Sequence, residues 1–412
     1  MTSAVDAPDE GPLRILTIAN VPPDPNSGAA GTVWATNEAF RAAGHSVDAI
    51  WAPDLGPRRI GHGNLHSLIE QPRRYRREAL AAVRRASQAG QPFDVVMMSQ
   101  PQAHLAARAL RRIGFPGLII NRSHGCELRF DTEMAKWHAR LGIPQSRYGW
   151  LSMALTKSLQ RQWRGIGAEC DGMIVPCEDD AETLRRSGLF GRCPIAVIPH
   201  GVPDTLRPAD RPPARRGPDI LTVGQVAFCK GPHIVSQVLP RVLRAEPSAR
   251  MTWITPEQDH AWLRESLPED IRLRVRFRGW GSQAGLAKGY RSARVFLFPS
   301  LFEGAAKSML EAMANGCVVI AGNHGGMKDA ITHGRTGLLC ENGSVEQFAE
   351  RTITMLRDPD AAAAIGQAAH RKAMSYTWTR VAENAVRFFR DISPPPSMRR
   401  VLAGDLAKSS PC

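Results

Sequence analysis

Two doubly wound α/β domains in tandem, facing each other across a cleft, are what this sequence predicts. Three observations carry the prediction: short apolar runs alternate with alanine-rich helical stretches, a second series of runs follows a break rich in proline and arginine, and glycine-bearing loops lie where strands give way to helices. With 412 residues, 43% of them hydrophobic and 22% charged, the chain can fill two cores, and its composition excludes fibrous and disordered classes.

Six runs read as strands in the first half: Arg14–Asn20, Ser46–Ala52, Asp94–Gln100, Leu118–Arg122, Gly172–Cys177 and Ile195–Pro199. Helical segments such as Thr32–Ala43 and Gln102–Ile113 lie between them, the spacing of parallel strands joined by crossovers. The stretch Pro203 to Pro218 offers few apolar side chains and reads as a linker. Beyond it come Asp219–Val223, Arg250–Ile254, Val275–Phe277, Val295–Phe298, Val318–Ala321 and Gly337–Leu339. The domains are therefore expected at 1–205 and 206–378, with a mobile tail at 393–412 that opens on Pro394-Pro395-Pro396. Ligands of such sheets bind at the carboxyl ends of the strands, so the cleft is the expected site.

No run of about 18 apolar residues could cross a bilayer. Met1 to Gly11 is acidic and lacks a basic start followed by an apolar stretch, so the expectation is a cytoplasmic protein without a secretory leader. The eight cysteines (Cys126, Cys170, Cys177, Cys193, Cys229, Cys317, Cys340 and Cys412) show no CxxC spacing and read as free thiols, without a zinc ribbon or disulfide framework.

Charge is distributed unevenly. The chain carries 53 Lys plus Arg against 39 Asp plus Glu, and positions 51–164 hold 19 basic and 7 acidic residues, +12 of the net +14. Clusters at Arg58-Arg59, Arg73-Arg74, Arg76-Arg77, Arg84-Arg85 and Arg111-Arg112, with Tyr75 and Trp137 as candidate interfacial aromatics, suit an anionic partner such as a membrane surface. A solvated arginine-rich face is the competing reading.

Four loops carry the chemistry. After the first strand, Asn20 to Thr32 contains Gly28 and Gly31 and runs into a helix, a setting in which free N–H groups and the helix dipole favour an anion. The second domain opens with Leu221-Thr222-Val223-Gly224-Gln225, followed by Lys230-Gly231-Pro232, where the lysine can neutralise a phosphate. Phe298 to Gly304 leads into the helix Met309–Asn315, so Glu303 falls in the loop and Glu311 within the helix. The two carboxylates can then address different hydroxyls of one elongated ligand, with the intervening N–H groups facing its phosphates. His124 follows the fourth strand.

These motifs resemble those of the retaining GT-B glycosyltransferases of the family-four type, which include bacterial mannosyl-, glucosyl- and N-acetylglucosaminyl-transferases. Ile198-Pro199-His200-Gly201-Val202, Gly325-Gly326-Met327-Lys328-Asp329, Gly334 to Leu339 and the helix start Tyr376 to Ala382 extend the resemblance over nearly the whole chain. It implies two Rossmann-like domains, the last helix (about 379–392) returning to the first of them. It also implies a retaining, metal-independent transfer of a hexosyl unit from a nucleoside diphosphate sugar to an acceptor hydroxyl, with no other cofactor. In this pattern His124, Lys230 and Glu303 serve catalysis. Gly28, Gly31, Gly224, Gln225, Lys230, Glu303, Gly304, Ala305, Ala306, Lys307 and Glu311 bind the donor, with Glu311 at the ribose and Glu303 at the transferred sugar. The acceptor, on the first domain, is a glycan, a lipid-linked sugar or a soluble small molecule, with envelope polysaccharide or glycolipid assembly as the expected setting.

Three departures stand out. Gln225 replaces the usual arginine, which leaves Lys230 without a second cation unless Lys307 supplies it. Ala305-Ala306 replace Phe-Gly, and Asp329 replaces a glutamate. A catalytically weakened relative and an anionic-polymer-binding protein are the alternatives; nucleic acid is not an expected partner. A dinucleotide oxidoreductase would need GxGxxG after the first strand, which is absent. Asp358-Pro359-Asp360 reads as a helix start, not as a metal-holding pair.

Overall fold

The structure is a computed structural model, and it describes residues 11–393 except 62, 126, 145–148 and 209–215. The tail, Cys126 and Cys412 lie outside the described residues. All twelve predicted strands are present. The first sheet holds β1 (Arg14–Ile18), β2 (Ser46–Ile50), β3 (Val95–Ser99), β4 (Leu118–Arg122), β5 (Gly172–Val175) and β6 (Ile195–Val197) in the order β2-β1-β3-β4-β5-β6. The second holds β7 (Asp219–Val223), β8 (Arg250–Ile254), β9 (Val275–Arg278), β10 (Val295–Phe298), β11 (Val318–Gly322) and β12 (Leu338–Cys340) in the order β12-β11-β10-β7-β8-β9. Every pairing between these strands is parallel. Their central members are apolar on both faces because crossover helices cover both sides, as β3, β10 and β11 show. This is the two-Rossmann-domain GT-B architecture.

The strand order positions the site. In each sheet the chain reverses its direction of winding beside the first strand, between β1 and β3 and again between β7 and β10, and the loops leaving those neighbours diverge to open a crevice. The closing helix, Trp378–Asp391, is capped by Thr377, whose side chain accepts from the Arg380 N–H. It returns to the first sheet, burying Val381, Val386 and Phe389 against Ile15, Phe40 and Val95. Full burial of each such side chain stabilises by about 1.5–3 kcal/mol. Gly201 lets the chain pass under this helix, since a Cβ there would lie 2.7 Å from the Trp378 nitrogen.

Several expectations are corrected. Tyr75 is 1% exposed and Trp137 8% exposed, so neither is an interfacial aromatic. Tyr75 turns inward because its hydroxyl accepts the Asn20 N–H at 2.9 Å. Arg74 is buried too, its guanidinium donating to the Leu55 carbonyl at 2.9 Å and to that of Gly56. The Pro203–Pro218 stretch is anchored at both described ends: Leu206 is buried, and the Arg216 guanidinium donates to the Ala293 carbonyl at 2.6 Å. Asp358 caps the helix Pro359–Ala373 by accepting the Ala361 N–H at 2.9 Å, as its sequence context predicts. The six described cysteines are free thiols. No helix among the described residues is long and apolar enough to cross a membrane.

Candidate active site

The second domain contributes two loops from adjacent strands. Leaving β7, the chain makes a short 3-10 turn, Phe228–Lys230, and enters the helix Pro232–Ala245 through Gly231. Gly231 has φ +67, and a Cβ there would lie 2.2 Å from the Pro299 carbonyl oxygen, so only glycine lets the turn lie against the β10 loop. That contact sets Lys230 beside Glu303, and their side chains form an ion pair. Burial works against the Lys230 charge, but the Glu303 carboxylate outweighs it and lifts the ammonium above its ordinary pKa. Ser300 Oγ lies 3.2 Å from the same carboxylate oxygen.

The helix after β10 is Lys307–Ala314, beginning two residues earlier than expected, with Lys307 as its first residue. Its N-cap, Ala306, offers no side chain to the first N–H groups, and no acid occupies the first turn. Glu311 is 5% exposed and accepts the Tyr290 hydroxyl at 2.9 Å. Burial pushes its carboxyl above the ordinary carboxylate range, against the pull of Lys307 and of the Tyr290 hydrogen bond. One acid is thus neutralised by a cation, while the other is kept dry beside a neutral donor. Gly224 and Gln225 sit at the end of β7; Gln225 is exposed, and a Cβ on Gly224 would meet nothing within 4 Å.

From the first domain comes the helix Gly28–Ala42, which begins four residues earlier than expected and takes both loop glycines into its first turn. Gly31 is required there, since a Cβ would stand 2.5 Å from the Pro25 carbonyl oxygen. The same point is 3.3 Å from Lys307 Nζ, so the two helix starts meet across the cleft. Gly304 makes a second close approach: its Cβ position lies 2.7 Å from Gly125 Cα. Ala305 and Ala306 line a cavity of about 60 Å³ with His200, Met309, Gly326 and Asp329.

His124 follows β4, its two ring nitrogens shut off from solvent and without a protein partner, 6.0 Å from the His200 ring. Burial, and then the charge of Arg122, lower His124 to about 3. The same two causes hold His200 well below its ordinary value, so both imidazoles are neutral. Arg122 is 4% exposed, donates to Thr36 Oγ1 at 2.7 Å, and keeps its other terminal nitrogen without a protein acceptor.

The Gly325–Asp329 segment joins the domains. Asp179 accepts the Gly325 N–H at 2.6 Å and Asp329 accepts the Glu178 N–H at 2.8 Å, while Lys328 lies 3.3 Å from Asp179. Gly325, at φ +53, rests on the Glu303 carbonyl oxygen, where a Cβ would approach to 1.9 Å.

The cleft therefore gathers Gly31, His124, Gly224, Lys230, Glu303, Gly304, Ala305, Ala306, Lys307 and Glu311 from separate stretches of chain. Sequence reasoning missed Arg122, Tyr290 and any role for His200. A charged residue closing the apolar run Leu118-Ile119-Ile120 was the available signal for Arg122; the others are defined only by packing.

Comparison with known proteins agrees with this geometry. The model of Glycosyltransferase Family 4 matches residues 26–206, and that of Glycosyl transferases group 1 matches residues 217–358. Among relatives, a glycogen synthase of Mycobacterium tuberculosis is 29% identical over 237 residues, 57% of this chain and 57% of that protein. A D-inositol 3-phosphate glycosyltransferase of Kribbella flavida is 27% identical over 243 residues, 53% of this chain and 56% of its own length. The matches thus span little more than half of these curated relatives. The sucrose-phosphate synthase structure from Thermosynechococcus elongatus superimposes with a TM-score of 0.70 at 20% identity, covering 92% of this chain and 99% of that one, and so shares the fold. With both halves matched by family models and the two-sheet fold held in common, the chain belongs to the GT-B glycosyltransferases of the family-four type.

Proposed function

We propose that the chain transfers a hexosyl unit from a nucleoside diphosphate sugar to an acceptor hydroxyl, with retention of anomeric configuration and without a metal ion. The observation that carries this reading is the ion pair between Lys230, on the loop after β7, and Glu303, on the loop after β10 and eight residues before the buried Glu311. Ribose hydroxyls donating to Glu311 would restore hydrogen bonds to a carboxylate that burial disfavours. Phosphate oxygens would take the free N–H groups at the start of the Lys307–Ala314 helix, with Lys230 and Lys307 beside them. As the bond between anomeric carbon and phosphate oxygen breaks, its electron pair passes to the diphosphate. Lys230 and the helix dipole stabilise that charge, and the acceptor hydroxyl attacks from the same face, its proton passing to the departing oxygen. Glu303 and the neutral His124 would hold the transferred sugar.

Calorimetry with nucleoside diphosphates tests the reading. Glu311→Ala is expected to weaken binding by about 10- to 100-fold, the loss of a charge-assisted contact of about 1.5–3 kcal/mol. Unchanged affinity would refute it.

A second observation favours an acceptor at an anionic membrane surface, with the protein peripheral on the cytoplasmic side. Arg73, Arg76 and Arg84 project from the exposed face of the helix Gln71–Gln88 along an open groove of about 540 Å³. Just before this helix, Leu65 and Ile69 are 43% and 42% exposed. Cations flanking exposed apolar side chains suit a lipid interface, where each Arg is worth about 1 kcal/mol.

A further inference from the structure

The helix Phe130–Leu141 comes from the first half of the chain, yet its apolar face is buried in the second domain. Met134 and Trp137 belong to the cluster that contains Ile234, Val238, Leu301 and Val345. Trp137 lies against Gly343, where a Cβ would stand 2.5 Å from the indole ring. The His138 ring lies flat on Phe228, with centroids 3.7 Å apart and planes 9° apart, and Phe228 in turn stacks on His233 at 4.9 Å and 16°. Phe130 meets Phe302 edge-on at 5.3 Å. At the rim, Arg140 reaches Glu341 at 3.2 Å, where both side chains are 60% exposed.

Two of these contacts fall on aromatics next to the charged pair. Phe228 precedes Lys230 by two residues, and Phe302 immediately precedes Glu303. None of the residues in the Phe228–Lys230 turn is fully buried. Besides the short-range bonds from Lys230 N–H to the Ala227 carbonyl at 2.8 Å and from Gly231 N–H to that of Phe228 at 3.0 Å, its inner side is tied to the β10 loop, the Cys229 carbonyl accepting the Leu301 N–H at 2.7 Å and the Ser300 hydroxyl at 3.0 Å. The outer side of the turn is covered by the aromatic stack, in which Phe228 lies between His233 of its own domain and His138, and the His138 layer exists only while the first domain lies against the second.

We propose that the helix Phe130–Leu141 is a cross-domain clamp that positions Lys230 and Glu303, so that affinity for the donor diphosphate depends on closure of the cleft. The proposal rests on the donor reading above and adds to it residues that touch no substrate. His138 and Trp137 are positioning residues: they act through Phe228 and the Gly343 loop.

The test is calorimetry on the full chain with a nucleoside diphosphate and with the parent nucleoside, which lacks phosphates. His138→Ala is expected to weaken diphosphate binding by about 5-fold or more and to leave nucleoside binding unchanged, because Glu311 and Tyr290 lie away from the stack. His138→Phe, which keeps a flat ring over Phe228, should restore affinity to within about 2-fold of the unaltered chain. Arg140→Ala should have no effect. If Trp137→Ala fails to fold, the His138 pair still decides the matter. Equal weakening of nucleoside and diphosphate, or no weakening of either, overturns the clamp and leaves the donor reading standing. An unaltered chain that binds no nucleoside diphosphate overturns both.

Discussion

The two faces of the cleft differ in how their polar groups are satisfied. On the second domain Lys230 is paired with Glu303 and Glu311 with Tyr290, so the charged groups already have protein partners. On the first domain the buried polar atoms at the strand ends do not: both ring nitrogens of His124 and of His200, one terminal nitrogen of Arg122, and the side-chain oxygens of Asn121, Gln100 and Gln102 have none. Gln100 also has φ +70, the positive value seen at no other non-glycine among the described residues. Unmade hydrogen bonds of this kind cost about 1–3 kcal/mol each, and strained, unsatisfied groups cluster where a ligand completes them. The contrast teaches that the second-domain face is preformed, whereas the first domain keeps unmade hydrogen bonds that the sugar and acceptor hydroxyls of the proposed reaction would complete.

The largest expected effect would break this contrast at its sharpest point. His124→Ala should lower kcat by about 100-fold, as expected for a preorganised group at the reacting sugar, while nucleoside diphosphate affinity, set on the other domain, stays within about 2-fold. Steady-state kinetics and calorimetry on the same preparation separate the two, and parallel losses would place His124 on the donor side instead.

Glu311→Gln sharpens the second-domain half. The folded pKa of Glu311 lies above its unfolded value, so its charged form costs stability at any pH above the folded pKa. The amide removes that cost. At pH 7.5 the unliganded variant should melt higher by a few degrees, while binding nucleotide about 10-fold less tightly. A lower melting temperature would contradict the account.

Acid sensitivity should follow the histidines. His124 and His233 have folded pKa values of about 3 and about 4, below the ordinary 6.5, in each case through burial first. The unfolded chain therefore takes up protons first. Stability is fully present above about pH 6.5 and falls as pH drops towards the folded values. Melting curves between pH 7.5 and 4.5 should show this slope, and His124→Asn combined with His233→Asn should flatten it.

The smallest effect concerns the basic helix, remote from the cleft. Changing Arg73, Arg76 and Arg84 to Ser should reduce sedimentation with anionic liposomes at low salt and leave the melting temperature unchanged, since all three are exposed. Arg74→Ser should do the reverse, lowering stability through lost bonds to Leu55 and Gly56 while changing liposome binding little. Equal sedimentation with neutral and anionic vesicles would reduce the patch to a solvated surface.

Sequence by itself determined the twelve strands, because a buried parallel strand must be a short apolar run between breakers, and that pattern is local. It also brought out Lys230, Glu303 and Glu311, because a phosphate-binding loop needs glycine, a cation and a helix start at fixed short spacings. Tertiary structure alone decided the rest. Seventeen of the residues 51–164 were equivalent arginines in the sequence until packing buried Arg74 and Arg122 and left Arg73, Arg76 and Arg84 exposed. Trp137 read as a surface aromatic until it was found over Gly343, some two hundred residues along the chain. The approach of Lys307 to Gly31 and the stacking of His138 on Phe228 likewise arise from domains whose strands come together by strand order. Burial, and with it the pKa of Glu311 or His124, is a property of everything packed around a side chain, and no window of sequence contains those neighbours.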